Sequence, residues 1–430
     1  MQKNYSTQNE KIERITEHTL VIGVDIAKER HYARMVNWRK QEGQKGKNFK
    51  NNKTGYEKFI GWVNKGIKQS GASDVVVAME PTGTYYFVFE EYLEKQGIEV
   101  VIVNGRDVRR TSEIMGNESS KNDPRDALII AQLTVDGRYG PSTRPKEGVY
   151  AELRELSSLR DLLATDDTRH KNRLHNQLSQ LFPEYQKYQK RGFSLGMLAA
   201  LKHFGTLEAL IQAGPDGIHQ LWKEQHIKNY GQKKAHALYT LARQSIGIKR
   251  NSPAAAHKLR ILINNYEANQ QALAETEEKL QQQLEQLPQA QQLMDIPGVG
   301  AVIAGTFLAE IGDIQNYNSP KQIQKLAGYA ITSKSSGKHN GKETSSKMGR
   351  KLLKTILYKA GIVLISKNKA FRQIYDYYTI ERKKPLIKMK AVIAISCKLI
   401  RVFYAMLKNG TAFDEKKMLN DIHRPQTKTA

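Results

Sequence analysis

A carboxylate inside a buried strand constrains this chain more than any other sequence feature. The run Thr19–Ile26 is apolar and β-branched, which predicts a buried strand, yet Asp25 interrupts it. An ionised carboxylate in a central strand is costly unless a cation or hydrogen-bond donors satisfy it. A second buried strand is predicted over Asp74–Glu80, and it also ends on a carboxylate. The fold must therefore place both acids where something can neutralise them.

Two further carboxylates stand at a predicted helix start. Asp123 can cap a helix over Asp123–Val135, Pro124 fits its first turn, and an apolar run follows. Asp126 comes three residues after Asp123, so both carboxylates can face one spot. That spot could hold a divalent cation. Alternatively, the two acids stabilise the positive end of a well-capped helix and do nothing else.

The N-terminal part alternates between predicted strands and helices, which indicates an α/β domain. The other predicted elements are strands around His31–Asn37, Lys47–Asn51 and Ile98–Val103, and helices over 54–69, from the Pro81-Thr82-Gly83 turn to Lys95, and over Arg106–Met115. Sites in open α/β sheets lie at the carboxyl edge of the strands. We therefore expect Asp25, Glu80, Asp123 and Asp126 to converge there. Mg²⁺ suits such an all-oxygen site, and a pair of ions would suit phosphodiester chemistry.

The charge of the chain points to nucleic acid. Its 430 residues carry a net charge of +25 at a pI near 9.7, and an anionic membrane is the weaker explanation. Residues 321–410 hold 21 Lys/Arg against three acids, so we expect the main nucleic-acid-binding face there. At 39% apolar residues, the chain can form two or three domains with cores of their own.

Cysteine content and hydropathy indicate a cytoplasmic protein. Cys397 is the single cysteine of the sequence, which excludes an internal disulfide and a cysteine zinc site. Residues 1–18 read as a loose polar tail without a secretory apolar core. The apolar stretch Ala391–Leu407 is broken by Lys398 and Arg401, which predicts a core helix rather than a membrane span.

The middle of the chain, residues 146–290, is predicted to be helical after a linker marked by Pro141 and Pro145. Long helices over 150–182 and 254–287 flank a basic helical module at 190–250, which contains a Gly214–Gly217 turn. An apolar residue recurs every seven positions from Leu259 to Leu287, but the other core register holds Asn269, Thr276 and Gln283. A coiled-coil arm for oligomerisation and a plain helical domain both fit this pattern. His170 and His175 are expected to face solvent.

A C-terminal domain is predicted over residues 291–410, with a disordered tail at 411–430. The turn Ile296–Gly300 before a helix at 301–311 predicts a helix-hairpin-helix, whose glycine amides would meet a phosphate; a simple glycine turn is the alternative. A short helix at 320–326, a basic loop at 328–347 and helices at 349–365, 370–380 and 386–407 follow.

Ser336 lies beside Gly337 in that basic loop. It could bind phosphate through its hydroxyl, or it could attack a phosphodiester after activation by a metal or a neighbouring Lys or Arg. The predicted nucleic-acid contacts are Arg106, Arg109, Arg110, Gly298, Gly300, Lys334, Lys338, Lys342, Lys347, Arg350, Lys351 and Lys354.

Several motifs, taken in order, resemble the DEDD transposases of the insertion-sequence one-ten family, which are bridge-RNA-guided serine recombinases. In the N-terminal part these are Gly23-Val24-Asp25, Met79-Glu80-Pro81-Thr82-Gly83 and Lys121-Asn122-Asp123-Pro124-Arg125-Asp126-Ala127. In the C-terminal part they are Ile296–Gly300, Glu310–Gly312, Leu326–Gly328, Ser336–Lys338 and Ser346–Gly349. The chain departs from the family at Ile331, where a proline is frequent, and at Met348, where many members have arginine. Ser335 also adjoins Ser336, so the serine assignment can slip by one.

The resemblance implies a RuvC-like, ribonuclease-H-type domain over 19–145, whose four acids hold Mg²⁺. It implies a coiled-coil connection over 146–290 and a mostly α-helical transposase domain over 291–410. There Ser336 would be the nucleophile that forms a covalent phosphoserine link to DNA. It also implies a tetramer, as a dimer of dimers, in which metal site and serine meet across subunits. The expected partners are donor DNA, target DNA and a structured bridge RNA, in a bacterial or archaeal cytoplasm near the nucleoid.

Three other functions compete with this interpretation. A metal-only nuclease or junction resolvase would need the four acids, and its serine loop would merely grip DNA. A phosphotransferase of the actin-like sugar-kinase type is suggested by Gly23-Val24-Asp25 at the start of a β-meander. The charge of +25 and the lack of a Gly-Thr pair after Asp25 count against it. A non-catalytic scaffold that binds RNA or DNA is the third.

Overall fold

The computed structural model describes residues 8–115, 123–141, 147–188, 192–248, 253–332, 344–346 and 348–420. The side chains of Asp123, Thr332 and Thr344 lie outside this described part. The chain divides into two compact units, residues 1–144 and residues 145–430.

The first unit is built on a mixed six-stranded sheet. Its strands are β1 (Thr19–Asp25), β2 (Arg30–Val36), β3 (Lys47–Lys50), β4 (Asp74–Met79), β5 (Glu99–Val103) and β6 (Tyr139–Pro141). Their order across the sheet is β3-β2-β1-β4-β5-β6. The central strands β1, β4 and β5 are parallel, whereas β2, β3 and β6 pair antiparallel with their neighbours. The predicted α/β character of this part is confirmed.

Helices cover both faces of the sheet. They are α1 (Gln8–Glu13), α2 (Lys53–Ser70), α3 (Tyr86–Lys95), α4 (Gly105–Met115) and α5 (Asp123–Val135). On one face, Ile22 and Val24 of β1 pack with aromatic side chains from α2 and α3, such as Phe59 and Phe89. On the other face, Val21 packs with α4 and α5. This alternation follows from the two-residue period of a strand and explains why β1 reads as continuously apolar.

The start of the chain is more ordered than the predicted polar tail. Besides α1, Ile15 is buried, and the Arg14 guanidinium binds the carboxylates of Asp74 and Glu99. Glu99 Oε2 lies 2.6 Å from Arg14 Nη2. Since Asp74 and Glu99 begin two adjacent parallel strands, Arg14 ties residues before β1 to the amino edge of the sheet. The prediction missed this because the partners lie more than fifty residues away in sequence.

The second unit is mostly helical, as predicted. Its helices are α6 (Gly148–Leu181), α7 (Tyr185–Tyr188), α8 (Leu195–Phe204), α9 (Leu207–Glu224), α10 (Gln232–Arg243), α11 (Pro253–Glu285), α12 (Pro288–Met294), α13 (Ala301–Ile311), α14 (Pro320–Leu326), α15 (Lys351–Lys367), α16 (Lys369–Asp376), α17 (Lys388–Asn409) and α18 (Glu415–Asn420). A 3₁₀ turn covers Ile314–Asn316, a π-helical turn covers Tyr377–Glu381, and the two-residue strands β7 (Ile331–Thr332) and β8 (Thr344–Ser345) pair antiparallel.

The two long helices α6 and α11 pack against each other in antiparallel orientation. Arg160 binds Glu277 with an N–O distance of 2.9 Å, and further along the pair Asn269 donates to the Leu163 carbonyl at 3.1 Å. Asn269 and Thr276 are both buried. Two of the polar residues that interrupt the heptad pattern, Asn269 and Thr276, therefore face the partner helix. Asn269 satisfies its amide there through a backbone carbonyl, as a buried polar group must.

Two separate cores hold this second unit together. One joins Leu153 of α6 and Leu280 of α11 to the C-terminal helices, including Phe307 and Phe403. The other lies in the helical module, around Trp222. The predicted turn in this module is present as a break in α9, where Gly214 adopts φ 67° and ψ 176° before Pro215.

Three predictions in this unit differ from the structure. Residues 415–420 form α18 with Met418 buried, where a disordered tail was expected. His175 is half-buried, its Nδ1 contacts the Tyr185 hydroxyl, and its ring lies 4.8 Å from that of Phe193. His170 is half-buried as well, and its Nδ1 is inaccessible to solvent. Neither histidine is the solvent-facing residue that the polar helix suggested. Among the described helices, none has both the length and the apolar character that a bilayer crossing needs.

Candidate active site

Two of the predicted carboxylates lie side by side at the carboxyl edge of the sheet. The parallel register pairs Val24 with Met79. Asp25 is the last residue of β1, and Glu80 directly follows the last residue of β4. Residues two apart on a strand share a face. Asp25 therefore follows Val21 and Gly23 on the face covered by α4 and α5, and Glu80 follows Ala78 on the same face. Both acids are half-buried.

Gly23 allows α5, which carries the third acid, Asp126, to pack closely on β1. A Cβ on Gly23 would lie 2.5 Å from the amide nitrogen of Ala131 and still closer to the Ala127 carbonyl oxygen. The backbone of α5 therefore rests directly on β1. Gly137, just beyond the C-terminal end of α5, lies against Ile12, which precedes β1. The N-terminal end of α5, which carries the half-buried Asp126, consequently points toward the Asp25 end of β1.

Asp123 is the first residue of α5, one helical turn before Ala127. Its side chain lies outside the described part of the chain, so its part in the set of four remains a prediction. The guanidinium of Arg125, between the two acids, donates to the Ser112 carbonyl at 2.9 Å. This bond ties the start of α5 to the end of α4 and fixes how the helix presents its acids.

Glu80 has a neighbour that the sequence interpretation missed. A Cβ on Gly105 would lie 2.9 Å from the carboxyl carbon of Glu80, so the carboxylate rests against the first residue of α4. The Asn104 side chain accepts a hydrogen bond from the Arg106 amide at 2.9 Å and shapes this turn. An Asn-Gly pair directly after a buried strand was the available signal, because it marks a tight strand-to-helix turn.

The donor set suits a hard divalent cation, because carboxylate oxygens are the ligands that Mg²⁺ prefers. Within the described side chains, no three Asp, Glu, His or Cys groups are gathered closely enough to hold a metal ion. Asp25, Glu80 and Asp126 thus approach one sheet edge without forming a finished coordination sphere. The side chain of Asp123, which would be the fourth donor, is outside that search.

The three arginines predicted to contact nucleic acid on α4 have exposed side chains. Arg109 binds Glu113 one turn later at 3.2 Å, a surface pair that costs little to break. Arg106 and Arg110 share the helix with it. Because α4 begins beside Glu80, these cations lie on the helix that borders the carboxylate edge.

The predicted glycine turn connects α12 to α13, and the helix-hairpin-helix itself stays a prediction. Gly298 adopts φ 100°, a conformation that favours glycine. Gly300 precedes α13, and a Cβ built there would meet no atom within 4 Å. The backbone at the start of α13 is therefore accessible, and an anion could approach it.

The basic loop that contains Ser336, Lys334, Lys338, Lys342 and Lys347 lies outside the described residues, but its base is described. The strands β7 and β8 pair there, and the Ser346 amide donates to the Ala330 carbonyl at 2.8 Å. A Cβ on Gly349 would lie 2.6 Å from the Leu326 carbonyl oxygen, so the two chain segments cross backbone to backbone. The two segments on either side of the loop therefore lie next to each other and are held by backbone contacts.

Arg350 is placed differently from the other predicted nucleic-acid contacts. Its side chain is 19% exposed, and it donates to the Glu310 carbonyl oxygen and lies 3.8 Å from the Glu310 carboxylate, which is 6% exposed. In this arrangement it ties the loop base to α13.

Lys351 is exposed, and the Lys354 ammonium lies 5.9 Å from the centre of the Tyr329 ring. A further cluster of exposed cations follows at Arg382, Lys383, Lys384, Lys388 and Lys390.

Comparison with known proteins places both ends of the chain in one group. A DEDD transposase model of IS110 elements matches residues 22–183, and a model of the transposase IS116/IS110/IS902 family matches residues 290–376. Together these matches cover more than half of the chain. The first includes all four predicted acids, and the second includes the glycine turn and the Ser336 loop.

Curated relatives agree with the family models. The chain is 26% identical over 328 residues to an uncharacterized 44.8 kDa protein of insertion element IS116 from Streptomyces clavuligerus, covering 75% of this chain and 79% of the relative. It is 23% identical over 401 residues to a pilin gene-inverting protein of Moraxella bovis, covering 92% and 98%. It is 26% identical over 170 residues to the transposase of insertion sequence IS1111A from Coxiella burnetii, covering 39% and 45%. The chain belongs to the IS110/IS116 family of insertion-sequence transposases.

Proposed function

We propose that this protein is an RNA-guided DNA transposase that cuts and rejoins DNA phosphodiesters with a Mg²⁺-binding carboxylate set and a serine nucleophile. The observation that carries the proposal is the approach of Asp25, Glu80 and the Asp126-bearing end of α5 to one sheet edge. The central parallel strands, with an antiparallel meander on one side, support a ribonuclease-H-type domain. The relative named a pilin gene-inverting protein supports a reaction in which cut strands are rejoined.

In this proposal, Asp25, Glu80, Asp123 and Asp126 hold Mg²⁺, which would supply charge stabilisation at the attacked phosphate. The Ser336 oxygen forms an ester bond to phosphorus, and the bond from phosphorus to one deoxyribose oxygen breaks. That oxygen takes up a proton and leaves as a hydroxyl. Attack by a second strand's hydroxyl on the phosphoserine reverses the step, so the serine is released and the strands are joined without loss of bond energy.

The carboxylate part is tested by Asp126→Asn in the full chain. We expect strand cleavage to fall at least about 100-fold, which exceeds the usual effect of a group outside the metal's own ligands, while DNA binding persists. The matched control is Glu57→Gln, which removes an exposed carboxylate from α2 of the same unit. Undiminished cleavage by Asp126→Asn would exclude the carboxylate site, and loss of binding as well would indicate a folding defect.

The serine part is tested by Ser336→Ala, with Ser335→Ala as the control for the neighbouring hydroxyl. We expect the covalent protein–DNA adduct to disappear in the first variant and persist in the second, as judged by denaturing gel electrophoresis. Full cleavage by Ser336→Ala without an adduct would favour the metal-only nuclease instead. RNA guidance is tested by sequencing RNA that copurifies with the protein. We expect to recover a structured transcript from the element's own flanks. Absence of any discrete RNA would exclude RNA guidance.

A further inference from the structure

A cleft in the helical module carries a concentration of positive charge. The module, residues 190–250, contains ten Lys/Arg against three acids, Glu208, Asp216 and Glu224. It lies between the two stretches that the family models match, residues 22–183 and 290–376. The two stretches that the family models match therefore do not account for the charge of the module.

The cleft opens to solvent between α8, the end of α9 and the start of α11. Its positively charged lining residues are Lys202, Lys228 and Arg260, two histidines, His203 and His226, also line it, and its apolar lining is Leu195, Ala199 and Ile227. Glu267 is the one acid among the lining residues, and Lys202 binds it at 2.6 Å. Lys228 and Arg260 are exposed, so their charge faces the open cleft.

The loop that presents Lys228 is held firmly. His226 and Asn229 both adopt left-handed conformations, with φ of 52° and 66°, although neither is glycine. Such conformations persist where the surroundings enforce them, which is frequent at ligand sites. The Ile227 amide donates to the Trp222 carbonyl at 2.9 Å, and the Tyr230 hydroxyl lies 2.7 Å from Ser194 Oγ. Both flanks of the loop are thus anchored to the module core.

Arg260 is oriented as well, because its Nε donates to the Lys202 carbonyl at 3.3 Å. The exposed cations Lys228 and Arg260, together with the apolar side chains that line the same cleft, form a surface for the phosphates and sugars of a nucleic-acid strand. Phosphate contacts give affinity, whereas apolar side chains accommodate sugars and bases without reading sequence. We infer that this cleft binds the phosphodiester backbone of a nucleic acid, and that the helical module is a second nucleic-acid-binding surface beside the C-terminal one.

The test is a salt titration of binding by the full chain carrying Lys228→Ala and Arg260→Ala. Each phosphate contact contributes a slope in log affinity against log salt of about −0.7 for a single strand and about −0.9 for duplex DNA. Loss of two contacts therefore makes the slope shallower by about 1.4 to 1.8 and weakens binding by about 25-fold to 60-fold at 0.1 M salt. The matched control is Lys223→Ala with Lys233→Ala. It removes the same charge from exposed positions of the module that do not line the cleft.

Separate titrations with an RNA stem-loop and with a DNA duplex distinguish the two sources of phosphate. The ligand that loses affinity in the cleft variant and keeps it in the control is the one that the cleft binds. An acetylation footprint gives a local readout, in which bound nucleic acid protects Lys228 and leaves Lys233 reactive. Equal affinities of the cleft and control variants for both ligands, or no protection of Lys228, would overturn the inference. Since neither measurement needs strand cleavage, their outcome is independent of the proposed transposase chemistry.

Discussion

Replacing Gly23 by alanine should damage the first unit out of proportion to the one methyl group it adds. The new Cβ would meet three backbone atoms of α5, with the Ala131 nitrogen at 2.5 Å, whereas ordinary contact begins at 3.4 Å. Backbone atoms of a helix cannot rotate aside as a side chain can. The helix must therefore retreat by roughly 1 Å or more across its whole contact with β1, or the strand must bend.

Overpacking of this kind costs about 1–3 kcal/mol, which corresponds to about 3–12 °C in the melting temperature of a domain of this size. The retreat also withdraws Asp126 from the Asp25–Glu80 edge, so strand cleavage should fall more than stability does at a temperature where the variant is folded. Calorimetry of the full chain gives the first number, and cleavage of labelled DNA at 25 °C gives the second.

Gly61→Ala is the matched control. Gly61 lies on the exposed face of α2, and a Cβ there would meet no atom within 4 Å. Alanine should stabilise that helix by about 0.5–1 kcal/mol and leave cleavage unchanged. If Gly23→Ala melts within 1 °C of the wild type by calorimetry, about the effect of a few tenths of a kcal/mol, and cuts DNA at full rate, the close approach of α5 to β1 is wrong.

Two further predictions concern buried charge. Arg350→Ala would leave the Glu310 carboxylate without that partner and should lower the free energy of unfolding by about 3 kcal/mol in denaturant titrations, with part of the loss recovered by adding Glu310→Gln; an unchanged midpoint would contradict the pairing. His31 is 1% exposed among aromatic rings, and burial lowers its pKa from 6.5 although the Asn51 side chain opposes this. The unfolded state then binds the extra proton, so stability is complete above about pH 6.5 and falls as the pH drops below it. His31→Leu should flatten that fall in melting temperature between pH 5 and 6.5, and an identical slope in both proteins would refute the assignment.

Much of the first unit could be predicted from the sequence, because its strands are short, buried and bounded by turns. The helix predicted over Asp123–Val135 has those bounds in the structure, and the strand predicted over Thr19–Ile26 ends one residue earlier. Carboxylates inside otherwise apolar strands gave the candidate site, since burial makes each one costly without a partner. What the pattern could not supply was the close packing at Gly23 and Gly105, because a glycine in sequence does not show what lies against it.

The sequence analysis also missed ion pairs between residues that are far apart in the sequence. Arg14 reads as part of a polar tail until Asp74 and Glu99 are brought beside it by the sheet. Arg350 reads as a cation available for nucleic acid until the fold sets it against Glu310. In both cases the partner lies forty or more residues away, beyond the reach of any local pattern. The Ser336 assignment rests on the resemblance and on its position between the fixed ends of the loop.

The packing of α5 on β1 also bears on protein synthesis. Two carboxylates of the proposed site, Asp25 at the end of β1 and Glu80 directly after β4, leave the ribosome early, whereas the helix that carries the other two follows about a hundred residues after β1. A chain whose translation stops before α5 could form the sheet edge and still lack half of its acids. Because α5 is translated after β1 and β4, all four acids are present only when nearly the whole domain has left the ribosome. Incomplete copies would then lack half of the carboxylates of the proposed site.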